Sequence, residues 1–441
     1  MGVIFVASAC SQSSSGSGGS SESGGGADRT DSKAIEQGGG EGQPGSGGAK
    51  ASGKVLLVAQ STFKRAANGQ YTVPGPATLL VLRQEGSRWH QETIEDPESS
   101  VFHKGMVIAE EGQEPAIVTI AGKKAALKLW RRQGKTWTSK TVWQPSFGGE
   151  NDRLRDIEIA DVTGDNQPEI VLATHDQGVV AVMKRTKSGW EPIEIDREPN
   201  TFVHEVEVGD VDGDGTAEIY ATPSHPNKGT GGPQPGKVTR YQWNGERFER
   251  EVVISWDTRH AKEILVADLD GNGHPELYAS LEGETEGGLC GMPGSKIVHP
   301  GEIVRLDRGE NGWSSKVVAT LENECLCRFL LAGDLDNDGS PELIAATSKQ
   351  GIWMFEPGPS LPLKGTLLTR ETGGFEHASL LADMDGQGGP ELYVADDSHG
   401  RLVRYTWSGG RLGPAEVILT RTVPRSAMTW NLWVADYPAA R

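Results

Sequence analysis

Apolar and polar positions alternate along this chain in short bursts separated by glycine, asparagine and aspartate. Five bursts open the pattern: Ile157-Glu-Ile-Ala160, Val206-Glu-Val-Gly209, Ile264-Leu-Val-Ala267, Leu330-Leu-Ala-Gly333 and Leu380-Leu-Ala382. Each is answered by a second burst, in order Ile170-Val-Leu-Ala, Ile219-Tyr-Ala, Leu277-Tyr-Ala, Leu343-Ile-Ala-Ala and Leu392-Tyr-Val-Ala. A period of two, with β-branched and aromatic residues bounded by turn formers, predicts the two strands of a hairpin. A sixth, decayed copy runs over Val107–Thr119.

A second hairpin follows each unit, at Leu80–Ile94, Leu129–Val142, Val182–Ile195, Arg240–Ile254, Val304–Val318, Ile352–Leu368 and Val403–Leu419, often with an aromatic after the turn (Trp89, Trp137, Trp190, Phe248, Trp313). Seven second hairpins stand against six first hairpins, and the chain ends resolve the mismatch. Thr429–Asp436 reads as a seventh first strand, and Lys54–Gln60 aligns with Leu392–Asp396 as a second strand. Pairing them completes a seventh four-stranded blade. The expected fold is therefore all-β, a seven-bladed β-propeller over 54–441 closed by its N- and C-terminal strands, which protects the edges of the ring of sheets.

Between the two strands of each first hairpin lies a nine-residue acidic loop: Asp161–Glu169, Asp210–Glu218, Asp268–Glu276, Asp334–Glu342 and Asp383–Glu391. Carboxylates at alternate positions of a tight turn suit Ca²⁺, which gathers six to eight oxygens. In the second loop Asp210, Asp212 and Asp214 would supply positions one, three and five, the Thr216 carbonyl position seven and Glu218 position nine. Asp334, Asp336, Asp338 and Glu342 repeat the full set. The third loop offers Asp268, Asp270, Asn272 and Glu276, the first Asp161, Asp165 and Glu169, and the fifth Asp383, Asp385 and Glu391. The expected order of affinity is 210 equal to 334, then 268, 161 and 383, with two to five structural Ca²⁺ ions; Asx-turns that need no metal are the alternative. These loops and their period resemble the FG-GAP/VCBS repeat family, known from the integrin α-subunit propellers, across five of the seven blades. The resemblance implies closed, structural metal sites rather than catalytic ones.

Six residues before each loop stand Arg155, His204, Lys262, Arg328 and His377, with His103 and Lys104 in the decayed unit and Trp430 in the closing strand. Placed at the channel mouth on the face opposite the loops, they would form a positive ring able to focus an anionic ligand; local ion pairing is the alternative. The long connections Ser61–Ala77, Ser224–Gly236 and Glu282–Gly301 gather on that face too. There Cys290 is expected to bridge Cys325 or Cys327, and a Cys₃His metal site with His299 is the rival arrangement.

With 61 acidic against 43 basic residues and a net charge of −18, nucleic-acid binding is disfavoured. Met1–Cys10 resembles the tail of a bacterial lipoprotein signal, with Cys10 as the acylated residue. Residues 11–53, nearly all Ser, Gly and polar, read as a disordered tether that would hold the body roughly 35–40 Å from an anchor. A monomeric, lipid-anchored module of the cell envelope is expected, extracytoplasmic and binding a glycan or protein partner. The rivals are a hydrolase or lyase on an anionic substrate, with His204, His377, Arg155 and Arg328 at the mouth, and a structural envelope protein.

Overall fold

A computed structural model describes residues 53–438 apart from 111, 149–151, 176, 226–233, 289, 291–293, 310–311 and 359. Cys10 and the tether up to residue 52 lie outside the described residues.

Seven antiparallel four-stranded sheets form the molecule among the described residues. In blades 2 to 7 the four strands follow chain order from the channel outward, as in Leu154–Ala160, Glu169–Thr174, Val179–Thr186 and Gly189–Arg197 of blade 3. Blade 1 takes its innermost strand, Ala427–Asp436, from the C-terminus. That strand pairs with Lys54–Arg65, Val55 opposite Ala435 and Val58 opposite Leu432. The closure expected from the sequence is the closure observed. Two additions depart from the plain plan. Tyr71–Pro74 pairs with the outer end of Lys54–Arg65, and a two-stranded ribbon, Glu284–Glu286 with Lys296–His299, is inserted in blade 5.

Second strands are buried on both faces, which is why they read as unbroken apolar runs; Ile170, Val171, Leu172 and Ala173 have no exposed surface. The core is a set of apolar layers between successive blades rather than one central nucleus. Val162, Val171, Val180, Val206, Ile219 and Tyr241, for example, fill the layer between blades 3 and 4. The outer-strand aromatics serve these layers: Trp89 meets Tyr393 of blade 7 edge-on at 6.4 Å, and Trp190 packs into the layer shared with blade 2.

Inner strands face a second problem. Their ladders break near the start, between Val203 and Val206 and between Ala261 and Glu263. Amide groups near such breaks need other partners inside a buried channel. Acids on the preceding inner strand supply them: Val206 donates to Asp156 (3.1 Å), and Ile264 donates to Glu205 (2.6 Å). The blades are thereby stitched to each other around the axis.

At the closing blade, Arg83 clips both chain ends. It donates to the carbonyls of Tyr437 (2.9 Å), Pro438 (3.2 Å) and Gly53 (3.3 Å), and Tyr437 donates back to Gly53 (2.7 Å). Replacing Arg83 by Met removes the buried bond to the Tyr437 carbonyl and the partly buried one to Pro438, while Gly53 keeps the Tyr437 amide. The expected cost is about 2–3 kcal/mol, read as a lower urea midpoint at an unchanged slope; an unchanged midpoint would show that the clip contributes nothing.

Candidate functional site

Both ends of the ring carry chemistry. At one end the acidic loops fold on their own carboxylates. The first Asp takes two amides of the turn, Asp214 (3.0 Å) and Gly215 (2.8 Å) donating to Asp210, with the same pairs at Asp268 and Asp334. Gly213 and Gly215 sit at φ +74 and +90, a backbone region that favours glycine. The closing Glu accepts the amide of the second loop residue, Val162, Val211, Leu269, Leu335 and Met384 in turn. Oxygens of Asp210, Asp212, Asp214 and Glu218 then lie within 4.8 Å of one another; so do those of Asp334, Asp336, Asp338 and Glu342, of Asp161, Asp165 and Glu169, and of Asp268, Asp270 and Glu276. The donor set is hard oxygen only, which suits a calcium-like ion.

Between these loops the channel widens into a funnel of about 610 Å³, lined by Met106, Val107, Ile159, Leu381 and Trp433, with Lys54, Asp383 and Asp436 among its polar residues. Sequence reasoning did not foresee usable space on this face.

At the other end the basic residues converge, but inside the molecule rather than around an open mouth. Arg155, His204, Lys262, Arg328 and His377 are all 3% exposed or less, and Trp430 only 7%. Val101, Met428 and Trp430, with Phe63 and Phe375 against them, form an apolar cluster at this end. The Arg155 guanidinium lies 5.4 Å over the Trp430 ring and the Arg328 guanidinium 4.9 Å over Phe375. Trp430 meets His103 edge-on at 4.8 Å and donates to Ser61. Among the described residues none of the three Arg328 nitrogens has a hydrogen-bond partner, although Glu282 stands 3.9 Å away; Arg155 has two such nitrogens.

Lys262 approaches His204 Nε2 at 2.8 Å and Glu282 at 3.6 Å. Burial, aided by the Arg328 and Arg155 charges, pulls its ammonium down to about 7 despite Glu282. Burial alone would raise the Glu282 carboxyl, but Lys262, His260 and Arg328 hold it at about 2. Burial also drives His103, His175 and His204 well below the usual imidazole value, so these rings are neutral. Lys104 is taken up by Glu158 (2.8 Å) and Asp156 (3.2 Å).

His377 stands apart. Its Nδ1 donates to the Thr347 carbonyl (2.9 Å) and its Nε2 accepts from Thr372 (2.9 Å), so its ring braces the start of blade 7. The predicted set thus splits: Arg155, His204, Lys262, Arg328 and Trp430 gather, whereas His377 does not join them. Glu282, His175, Phe202, His260, Phe375 and Glu376 complete the cluster and were missed. A signal existed for two of them, since His175 and Glu282 each fall six residues after a loop's closing Glu, the mirror of the position that identified Arg155 and Lys262.

A disulfide joins Cys290 to Cys325, fixing the inserted ribbon to the chain before blade 6. Cys327 is a buried free thiol whose ionisation burial opposes. His299 turns to the Pro300 carbonyl (3.1 Å), and no Cys₃His set is assembled among the described residues.

This architecture defines a β-propeller with acidic hairpin loops. Residues 161–221 match the FG-GAP-like repeat. No curated protein sequence matches the chain. Solved structures with a similar fold include a protein from Lactobacillus plantarum (11% identity, TM-score 0.51, 87% of this chain and 99% of that one). A candidate 6-phosphogluconolactonase from Bacteroides uniformis (12%, 0.49, 85% and 99%) and apo AztD from Citrobacter koseri (9%, 0.41, 87% and 98%) are also similar. At such identities the likeness is one of fold alone.

The depressed Lys262 value carries a pH signature. Below about pH 7 the residue is protonated both folded and unfolded, and burial of its charge costs stability in full. Between about 7 and its ordinary 10.5 the unfolded chain alone keeps the proton, so stability rises with pH across that window. The parent should therefore gain on Lys262→Met as pH goes from 7 to 10, measured by paired urea melts; a constant difference would mean that Lys262 titrates normally.

Proposed function

We propose that the chain is a lipid-anchored, calcium-stabilised binding module of the bacterial cell envelope, and that its buried cationic end receives an anionic group of a glycan or protein partner. The observation that carries this reading is Arg328, 1% exposed with no hydrogen bond to any of its three nitrogens among the described residues. Leaving such donors unmade inside a protein is costly. A carboxylate or phosphate oxygen pair matches a guanidinium edge and would remove the cost. Phe375 and Trp430 hold the Arg328 and Arg155 guanidinium groups over their rings, which limits the side-chain freedom lost on capture. The acid–base alternative needs His204 and His377 to act on one substrate, and His377 already spends both ring nitrogens on Thr347 and Thr372.

Calorimetric titration with uronic-acid oligosaccharides and acidic peptides tests the reading. Arg328→Gln should weaken a genuine ligand by about ten-fold or more, and binding near pH 8 should take up a proton as the anion returns Lys262 to its charged form. Equal affinity in parent and variant would place binding elsewhere. The anchor is tested separately: a cell-grown chain labelled with an alkyne fatty acid should carry the label, and Cys10→Ala should lose it. A labelled Cys10→Ala chain would remove Cys10 from the proposal.

A further inference from the structure

The acidic loops differ less in their own residues than in what faces them from the third strand of each blade. The register sets two facing positions. The first is the partner of the second strand's third residue: Val171 pairs with Val182, Tyr220 with Arg240, Tyr278 with Arg305, Ile344 with Met354 and Tyr393 with Arg404. The second lies two residues on, on the same side of the strand: Lys184, Gln242, Asp307, Glu356 and Thr406.

In blade 3, Lys184 reaches into its loop and meets Asp165 (2.9 Å), Thr163 (3.1 Å) and Glu169 (3.7 Å). In blade 4, Arg240 bridges Asp212 and Glu218 (2.7 Å to the latter), and Gln242 donates to Asp214 (2.9 Å). These side chains touch the third, fifth and ninth loop positions, the ones an ion would draw together. In blade 5 the arginine is turned elsewhere, Arg305 to Asp307 (2.8 Å); in blade 7 Arg404 binds Glu416 (2.6 Å) and comes only to 3.9 Å from Asp385 of its loop; and the fifth position is Asn272 or Gln387, a neutral oxygen.

Blade 6 is different in kind. Met354 and Glu356 face the loop, so no cation comes from the third strand and one more carboxylate does. Glu342 has no exposed surface; its Oε2 accepts the Leu335 amide (2.8 Å), and its Oε1 has no hydrogen-bond partner among the described residues. A carboxylate oxygen of Glu342 lies within 4.8 Å of oxygens of Asp334, Asp336 and Asp338. Repulsion among four carboxylates at this spacing favours a cation from solution.

We propose that the third strand sorts the loops. Lys184 and Arg240 are tethered cations that take the ion's place in the loops at 161 and 210, and the loop Asp334–Glu342 is the one that binds a divalent, calcium-like ion tightly. The two loops with full carboxylate sets, equal by sequence, are therefore opposites in use. This rests on reading the loops as cation sites, and the test separates the two ideas.

Calcium is titrated into the chelator-stripped chain and followed by calorimetry and equilibrium dialysis. One site should be at least about ten-fold tighter than any other. Asp336→Asn and Glu342→Gln should each weaken it by about ten-fold or more, whereas Asp212→Asn leaves it unchanged. Should Glu342→Gln fail to keep its β-sheet dichroism, the half-buried Asp336→Asn carries the test. Arg240→Met and Lys184→Met should each add one bound ion. Several equally tight sites in the parent, loss of the tight site in Asp212→Asn, or no site gained in Arg240→Met would overturn the sorting. Absence of any calcium binding would overturn the cation reading of the loops itself.

Discussion

Seven wedge-shaped sheets stay in a ring because the last strand of the chain is hydrogen-bonded to the first. Ala427–Asp436 lies against Lys54–Arg65, and the other six blades are packed around this junction through side-chain layers and the acid-to-amide stitches between inner strands. Without that pairing two sheet edges would meet solvent, and the ring could open like a split washer. Arg83 fastens the junction by collecting main-chain oxygens from both ends of the chain, which makes closure a property of three segments far apart in sequence.

The molecule divides its interior by chemistry. Layers between blades are apolar and close-packed, and they supply the favourable burial that folding requires. The channel is instead lined with charged and imidazole groups at one end and opens into a funnel at the other. Burying so many ionisable groups costs stability, visible in a lysine brought down to about 7 and several neutral histidines. Such an expense is retained more readily where the groups serve recognition than where they only fill space.

How far the sequence reached follows from what each feature depends on. Blade number, strand positions and closure were legible because the pattern repeats: Ile157–Ala160 and Ile170–Ala173 carry the same signal as their counterparts in the other blades. The acidic loops were legible for the same reason. Their inequality was not, because the decisive residues, Lys184, Arg240 and Met354, lie on another strand and face the loops only through the register of the sheet. His377 shared a sequence position with Arg155 and Lys262, yet the nearby Thr372 and Thr347 captured its ring. Position in a repeat predicts where a side chain starts, and neighbours decide where it points.

The junction at blade 1 also fixes a direction. Lys54 pairs with Asp436, at the end of the innermost strand where the acidic loops gather, and its ammonium caps the Asp383 carbonyl (2.5 Å). Anything that tethers the body through residue 53 therefore pulls from that face. The cationic end points the opposite way, so a domain held by its N-terminal leash would turn the end that encloses Arg155 and Arg328 away from the anchor, as a flower on its stalk turns its centre from the ground.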